Sequence, residues 1–472
     1  MCLIQARWHV PYAVVYLTGA CNLGCSYCFA NRLPPRHMSR RTGERVVEWL
    51  FENSRDGKED PLILSFFGGE PLLRFSILRC MVEFSDRLSD RYGKRIVFSV
   101  TTNGTLITGE ILDFLEARQI AVLFSVDGDR RTNDMHRNFK NGSSAAETIY
   151  AGARSVLERF PKVAARMTVT RDNLHRLADN IRFLHRLGFR FISPCPALET
   201  ITGHKAWEEF DRQCRRAAEY VIRNALDGDY LHLHFLDNGI DQLVHKRAVD
   251  VACGAGKTIV GIDTNGDIYP CHRFVSYAPN DGKRFRLGNI HDGIDPVRAL
   301  PFRRYDRSNV LGCYTRCREC PANDFCAGGC IALYHETTGN FLAPLVQQQK
   351  LMSVWQEICA ETVDCFKQRG KFAFLLEQIK LKPKSFLPLR IYLKTGLSDF
   401  PAPGYSPPGF VSKEDQGWLI EAGSDGESRK NWESFGRFQT RCGNESDPSW
   451  RNTGRRRPRG ASTPSGGSAS TA

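Results

Sequence analysis

Short apolar runs and longer amphipathic stretches alternate through the first two hundred residues of this chain. The runs cover 13–18, 62–66, 96–100, 122–126, 165–169 and 189–192. All are rich in β-branched or aromatic residues, as strands buried on both faces of a parallel sheet are. Between them the apolar positions recur at helical spacing. Over 40–51 this puts Val46, Val47, Leu50 and Phe51 on one side, with Ser39 or Thr42 placed to cap. The same spacing returns near 75–91, 109–117, 145–159 and 173–187. Such alternation predicts an α/β fold with a parallel sheet, whose ligands gather where the strands end.

Past residue 200 the alternation stops. Residues 207–226 read as one long helix. From Cys253 to about Cys365 the chain is dense in cysteines and turns, which predicts a small unit held by metal rather than by a large core. Prolines between Pro383 and Pro408 break any long element beyond it. Residues 443–472, rich in Ser, Gly, Arg and Pro, read as a disordered tail. The expected organisation is a first domain over 1–235, a cysteine-rich domain over 236–368, an extension of unassigned role over 369–442, and the tail.

Charge and cysteine content change this picture only in part. The 472 residues carry a net charge of +13. Some of it sits in the tail at Arg455, Arg456, Arg457 and Arg459, which reads as a solvated segment rather than a case for nucleic acid. No run reaches the ~18 apolar residues of a membrane span, and the first seventeen residues show no export signal. The expectation is a cytoplasmic protein without a membrane partner, where disulfides rarely persist. Seventeen cysteines then point to metal or cluster ligation.

Three of them, Cys21, Cys25 and Cys28, lie within eight residues, directly after the first strand. Such a loop can hold three corners of a [4Fe-4S] cube and leave the fourth iron to a small chelating ligand. Gly68, Gly69 and Glu70 follow the second strand: the glycines permit close backbone approach, and the carboxylate can accept from an ammonium group. Read alone, the glycine pair is a turn. Thr102 and Asn103 end the third strand in a hydroxyl and amide cluster that is either a plain turn or a ribose and carboxylate contact. Ser125-Val126-Asp127-Gly128 ends the fourth, with Asp134-Met135-His136-Arg137 beyond it, and Asp127 is open to readings as a helix cap or a turn residue.

The Cys-x3-Cys-x2-Cys loop, with Tyr27 before its third cysteine, resembles the radical SAM superfamily signature. The resemblance implies a partial (β/α)6 TIM-like barrel, and S-adenosylmethionine on the open iron, cleaved to a 5′-deoxyadenosyl radical. It extends to the GGEP, TNGT and S-[LIV]-D-G…D-x-x-R segments. These imply that Gly68, Gly69, Glu70, Thr102, Asn103 and Ser125 contact SAM, and that Arg137 pairs with its carboxylate.

The later cysteines resemble a SPASM domain, which carries two auxiliary [4Fe-4S] clusters. By that match Cys253, Cys271 and Cys330 ligate the first, and Cys317, Cys320 and Cys326 begin the second. Three matching cysteines leave the first cluster open to an exposed iron or a non-cysteine ligand. At the second, Gln349 sits near the place of the usual last cysteine; Cys359 is the nearest substitute, with Cys365 behind it. The other reading of Cys317–Cys330 is a zinc site. Cys313 is a spare candidate, whereas Cys2, Cys80, Cys195, Cys214 and Cys442 read as ordinary thiols.

His272, directly after Cys271, is the candidate catalytic residue, as a base or as a packing group. Sulfatase-maturating enzymes of the family carry an aspartate near this place, and the Cys-His pair also occurs in peptide maturases. The expected activity is oxidative modification of a peptide or protein side chain, of the thioether or carbon–carbon link type. Sulfatase maturation to formylglycine is the alternative within the family, and a non-catalytic zinc scaffold the alternative outside it. The expected partners are a flavodoxin- or ferredoxin-type electron donor and, because only twenty residues precede Cys21, a separate leader-recognition protein, unless the basic surface serves that purpose.

Overall fold

The computed structural model describes residues 9–54, 61–245, 253–277, 284–303, 305, 311–312 and 314–380. Cys2, Cys313, Cys442, the basic tail cluster and nearly all of the 369–442 extension lie outside them.

Six parallel strands follow in spatial order as they do in sequence: β1 (Tyr12–Thr18), β2 (Leu62–Gly68), β3 (Ile96–Thr102), β4 (Ala121–Ser125), β5 (Ala164–Val169) and β6 (Phe191–Pro196). The helices that return the chain are α1 (Arg40–Glu52), α2 (Phe75–Tyr92), α3 (Gly109–Ala117), the short α4 (Arg130–Asp134), α5 (Ala146–Arg159) and α6 (Leu177–Leu187). The hydrophobic pattern placed all but α4. Ser39 is the α1 cap: its hydroxyl accepts from the Thr42 amide at 3.0 Å. The sixth strand begins two residues later than its apolar run suggested, because the ladder to β5 starts at Phe191.

Strand register decides what faces the interior. Tyr16 pairs with Phe67, Ser65 with Ser99, Ser125 with Arg166, and Arg166 with Ser193. Side chains at paired positions share a face, so these residues belong to one side of the sheet. Residues of the opposite phase, such as Leu64, Phe66, Phe124, Met167 and Val169, are buried.

After α7 (His204–Leu226) the chain adds β7 (His232–Leu233) beside β6, and then α8 (His234–His245). Among the described residues the cysteine-rich region builds no sheet of its own. Its first strand, β8 (Ile259–Ile262), pairs in parallel with β1, and β9 (Asp267–Tyr269), β10 (Gly288–Asn289) and β11 (Gly293–Ile294) continue from it, giving eleven strands in one sheet. The expectation of little core here is corrected. Phe274, Tyr277, Phe285, Phe302, Tyr305 and Tyr334 are all buried, and the region ends in a 23-residue helix, Val346–Gln368, packed on α7 and α8.

Candidate functional site

The loop after β1 is held from three sides. Within it, the Cys28 amide donates to the Cys25 carbonyl at 3.0 Å and the Asn31 side chain to the same oxygen at 2.8 Å. From outside, Gly24 N donates to Asn138 O at 2.8 Å, and Ser26 Oγ lies 2.7 Å from His136 Nδ1. From below come Gly68 and Gly69. Gly68 has φ 137°, and a Cβ on Gly69 would stand 2.1 Å from the Ala20 carbonyl oxygen. The close approach predicted for this pair is therefore made to the cysteine loop's own backbone.

Burial pushes the Cys25 thiol up to about 12 and the Cys21 thiol upward, and the neighbouring Cys28 adds to both. Buried thiols of this kind ionise on binding a metal centre.

Glu70 is buried beside them at 1% exposure. Its Oε1 accepts from Leu72 N at 3.1 Å and from the Thr102 hydroxyl at 2.9 Å, and Oε2 accepts from Asn103 N at 2.8 Å. Desolvation still outweighs these donors and lifts the carboxyl to about 7. The Asn103 side-chain amide donates to Asn22 Oδ1 at 2.9 Å and lies 3.7 Å from Cys21 Sγ. Glu70, Thr102 and Asn103 thus form one network with the first cysteine.

Asp127 is neither a helix cap nor a plain turn residue; Asp129 caps α4. Asp127 is fully buried, and its Oδ2 accepts from the Tyr27 hydroxyl at 2.5 Å and from Arg137 Nε at 3.0 Å. Its Oδ1 accepts from Thr168 N at 2.9 Å on β5. The Arg137 guanidinium also lies 5.6 Å from the Tyr27 ring centre. One carboxylate therefore ties the cysteine loop, Arg137 and β5 together. The sequence signal for it was the Asp127–Arg137 pairing within the matched segment, which was read toward a ligand instead. Ser125 is buried at the end of β4, next to this knot.

The later cysteines fall into two groups. In the first, burial raises the Cys253 and Cys271 thiols, Cys271 to about 12, and the nearby Cys330 adds to both. Between this group and the first loop stands Tyr16. Its hydroxyl is raised by burial and then by both Cys271 and Cys28, and it donates to the His272 carbonyl at 2.7 Å. The His272 ring lies 5.3 Å from Phe67 and 5.9 Å from Phe29. Burial, with Arg273 and Arg166 nearby, pushes His272 down to about 4, so the imidazole is neutral, and its buried Nδ1 has no hydrogen-bond partner.

Cys317, Cys326 and Cys330 all act on the buried Tyr334 hydroxyl. Gln349, on the long C-terminal helix, donates to Arg316 O at 2.6 Å and lies 3.9 Å from Cys317 Sγ. It also lines a cleft of about 550 Å³ together with Cys320. Cys359 is placed elsewhere. Ten positions further along that helix, about 15 Å of rise, it is fully buried against α8, with its thiol near the Phe235 and Leu236 carbonyls. Cys365 is further still. Among the described residues no three His, Cys, Asp or Glu side chains converge closely enough to hold a single metal ion.

Residues 15–184 match the family described as the Radical SAM superfamily. The chain is 22% identical over 331 residues to a cysteine-type anaerobic sulfatase-maturating enzyme of Clostridium novyi, covering 66% of this chain and 84% of that one. It is 26% identical over 332 residues to the mycofactocin maturase MftC of Mycobacterium ulcerans, covering 67% and 81%. Its fold is similar to that of native anSMEcpe with bound AdoMet and Cp18Cys peptide, at a TM-score of 0.61 and 17% identity, over 78% of this chain and 98% of the other. Among the described residues no helix is long and apolar enough to cross a membrane.

Proposed function

Because the chain belongs, over residues 15–184, to the radical SAM superfamily of enzymes, we propose that it modifies a side chain of a peptide or protein oxidatively, forming a thioether or carbon–carbon link. Cys21, Cys25 and Cys28 would hold the SAM-binding [4Fe-4S] cluster. Gly68, Gly69, Glu70, Thr102, Asn103, Ser125 and Arg137 would line the SAM site. Cys253, Cys271 and Cys330 would hold a first auxiliary cluster, and Cys317, Cys320 and Cys326 three corners of a second. The donor sets suit these groups in kind: each is a set of thiols, and burial raises Cys25 and Cys271 to about 12, so that they would ionise on binding a metal centre. When bound, the groups supply one-electron chemistry that yields a carbon radical able to remove an unactivated hydrogen.

The observation that carries this reading is the position of Tyr16, in electrostatic reach of both Cys28 and Cys271. Tyr16, Phe67 and His272 form one aromatic wall there, with Phe67 5.3 Å from each of the other two rings. A side chain admitted there meets the first site on one side and the auxiliary site on the other. The peptide bound in anSMEcpe supports a peptide as the occupant. The proposed electron donor is of the flavodoxin or ferredoxin type.

The likeness to sulfatase-maturating enzymes favours formylglycine formation as the second reading. Anaerobic enzyme with SAM and reductant, given a cysteine-containing precursor peptide and a sulfatase Cys/Ser peptide, separates the two. Loss of two hydrogens from the precursor is expected. Modification of the sulfatase peptide alone would decide for formylglycine.

A further expectation concerns Gln349. Gln349→Cys puts a thiol beside Cys317, at the corner where a fourth protein ligand is missing. The variant should retain about one more iron per chain than the parent after mild oxidation, one corner of one cube. Equal retention would show that Gln349 does not face that corner.

A further inference from the structure

Arg166 is a cation inside the mouth of the sheet. It is the third residue of β5, in register with Ser125 on one side and Ser193 on the other. Its neighbours in sequence, Ala165 and Met167, are buried on the opposite face, whereas Arg166 is half-buried. Its Nη2 lies 2.7 Å from Cys195 Sγ, a weak acceptor at the end of β6.

The other arginine in range of His272 has its charge paired. Arg273 pairs with Glu199 at 3.2 Å and Glu336 at 2.8 Å, and Glu336 also receives Arg32 at 2.8 Å. Arg137 is accounted for by Asp127. Among the described residues no carboxylate lies in ion-pair range of Arg166. A guanidinium half-removed from water without a counter-ion carries a desolvation cost, and that cost disappears when an anion arrives. The same wall holds a second unfilled polar group, the buried Nδ1 of His272.

We propose that Arg166 receives a carboxylate of the substrate, with its planar two-pronged donor set, and so selects peptides that present an acidic group beside the residue to be modified. This rests on the peptide reading above. The SAM carboxylate is the less suitable occupant. By the family match it belongs at the open iron of the first cysteine loop, where Arg137 stands 5.6 Å from the Tyr27 ring. Arg166 acts instead on His272, beside Cys271. The acidic group is either an Asp or Glu side chain or the peptide's terminal carboxylate.

The test is selection of a displayed peptide library on the anaerobically reconstituted full chain, with free and amidated C-termini, comparing the parent with Arg166→Lys and Arg166→Met. The parent should enrich acidic peptides about tenfold over their Asn/Gln counterparts, the worth of one charge-assisted pair. Arg166→Met should lose that preference and Arg166→Lys keep part of it, with iron content and SAM affinity unchanged in both. Loss of preference on amidation identifies the terminal carboxylate; retention identifies a side chain. Peptides enriched without regard to charge overturn the inference and leave the peptide reading standing. No peptide enriched at all overturns both. Weakened SAM binding in Arg166→Met would assign the residue to the cofactor and overturn the inference as well.

Discussion

Cys25→Ala is expected to reduce SAM cleavage to background, read as 5′-deoxyadenosine formed per chain, while removing only about four irons. The thiol stands at the centre of the first loop, 8% exposed, within electrostatic reach of both Cys21 and Cys28. Two thiols cannot fix a cube that three were placed to hold. The loop's backbone should survive the change, since its contacts run through Cys25 O, Gly24 N and Ser26 N rather than through the sulfur. The remaining cysteine groups are held by other elements and should keep their iron. A variant that still forms 5′-deoxyadenosine at the parent rate would remove this loop from the active site.

The second large effect is one of stability. Asp127→Ala leaves the Arg137 guanidinium buried at 6% exposure without its carboxylate, and also strips the Tyr27 hydroxyl and the Thr168 amide of their acceptor. Breaking one side of a buried pair costs about 3–5 kcal/mol. For a fold of this size that corresponds to a drop in Tm of roughly 10 °C. Replacing both partners by apolar groups is often nearly neutral, so Asp127→Ala with Arg137→Met should recover part of the loss. Thermal melting of the metal-free chain reads both. A single variant that melts within a degree of the parent would mean that the pair holds nothing together.

Much of the first half of the fold was legible in the chain. Buried parallel strands advertise themselves as continuous apolar runs, and each run found its strand. The helices between them were equally plain, and Ser39 could be picked as a cap because a hydroxyl three residues ahead of a free amide has one obvious partner. The cysteine loop was legible because its spacing is local. What escaped was set by distance along the chain. β8 pairs with β1 from almost 250 residues away, and nothing in the run Ile259–Ile262 says which edge it will join.

Asp127 was misjudged because its partners are Tyr27, far upstream, and Arg137, ten positions on across a helix. The Val346–Gln368 helix was legible in principle, since Leu351, Met352, Ile358, Thr362, Val363 and Phe366 recur at helical spacing along one buried stripe; the cysteines within and ahead of it drew attention to ligand spacing instead. That helix also carries Cys359 away from Cys317 and brings Gln349 to it, a consequence of rise per residue that spacing alone does not convey. Arg166 lies within the run 165–169, and only strand register places it beside Ser125.

Because β8 docks on β1, the strand that ends in the cysteine loop is flanked on both sides, by β2 and by β8. The first thiol group and the start of the cysteine-rich region are therefore joined by a ladder of backbone hydrogen bonds and not by a hinge. The two halves are also inseparable. A chain cut ahead of β8 would present the inner strand as a raw, apolar edge, open to pairing with any neighbour.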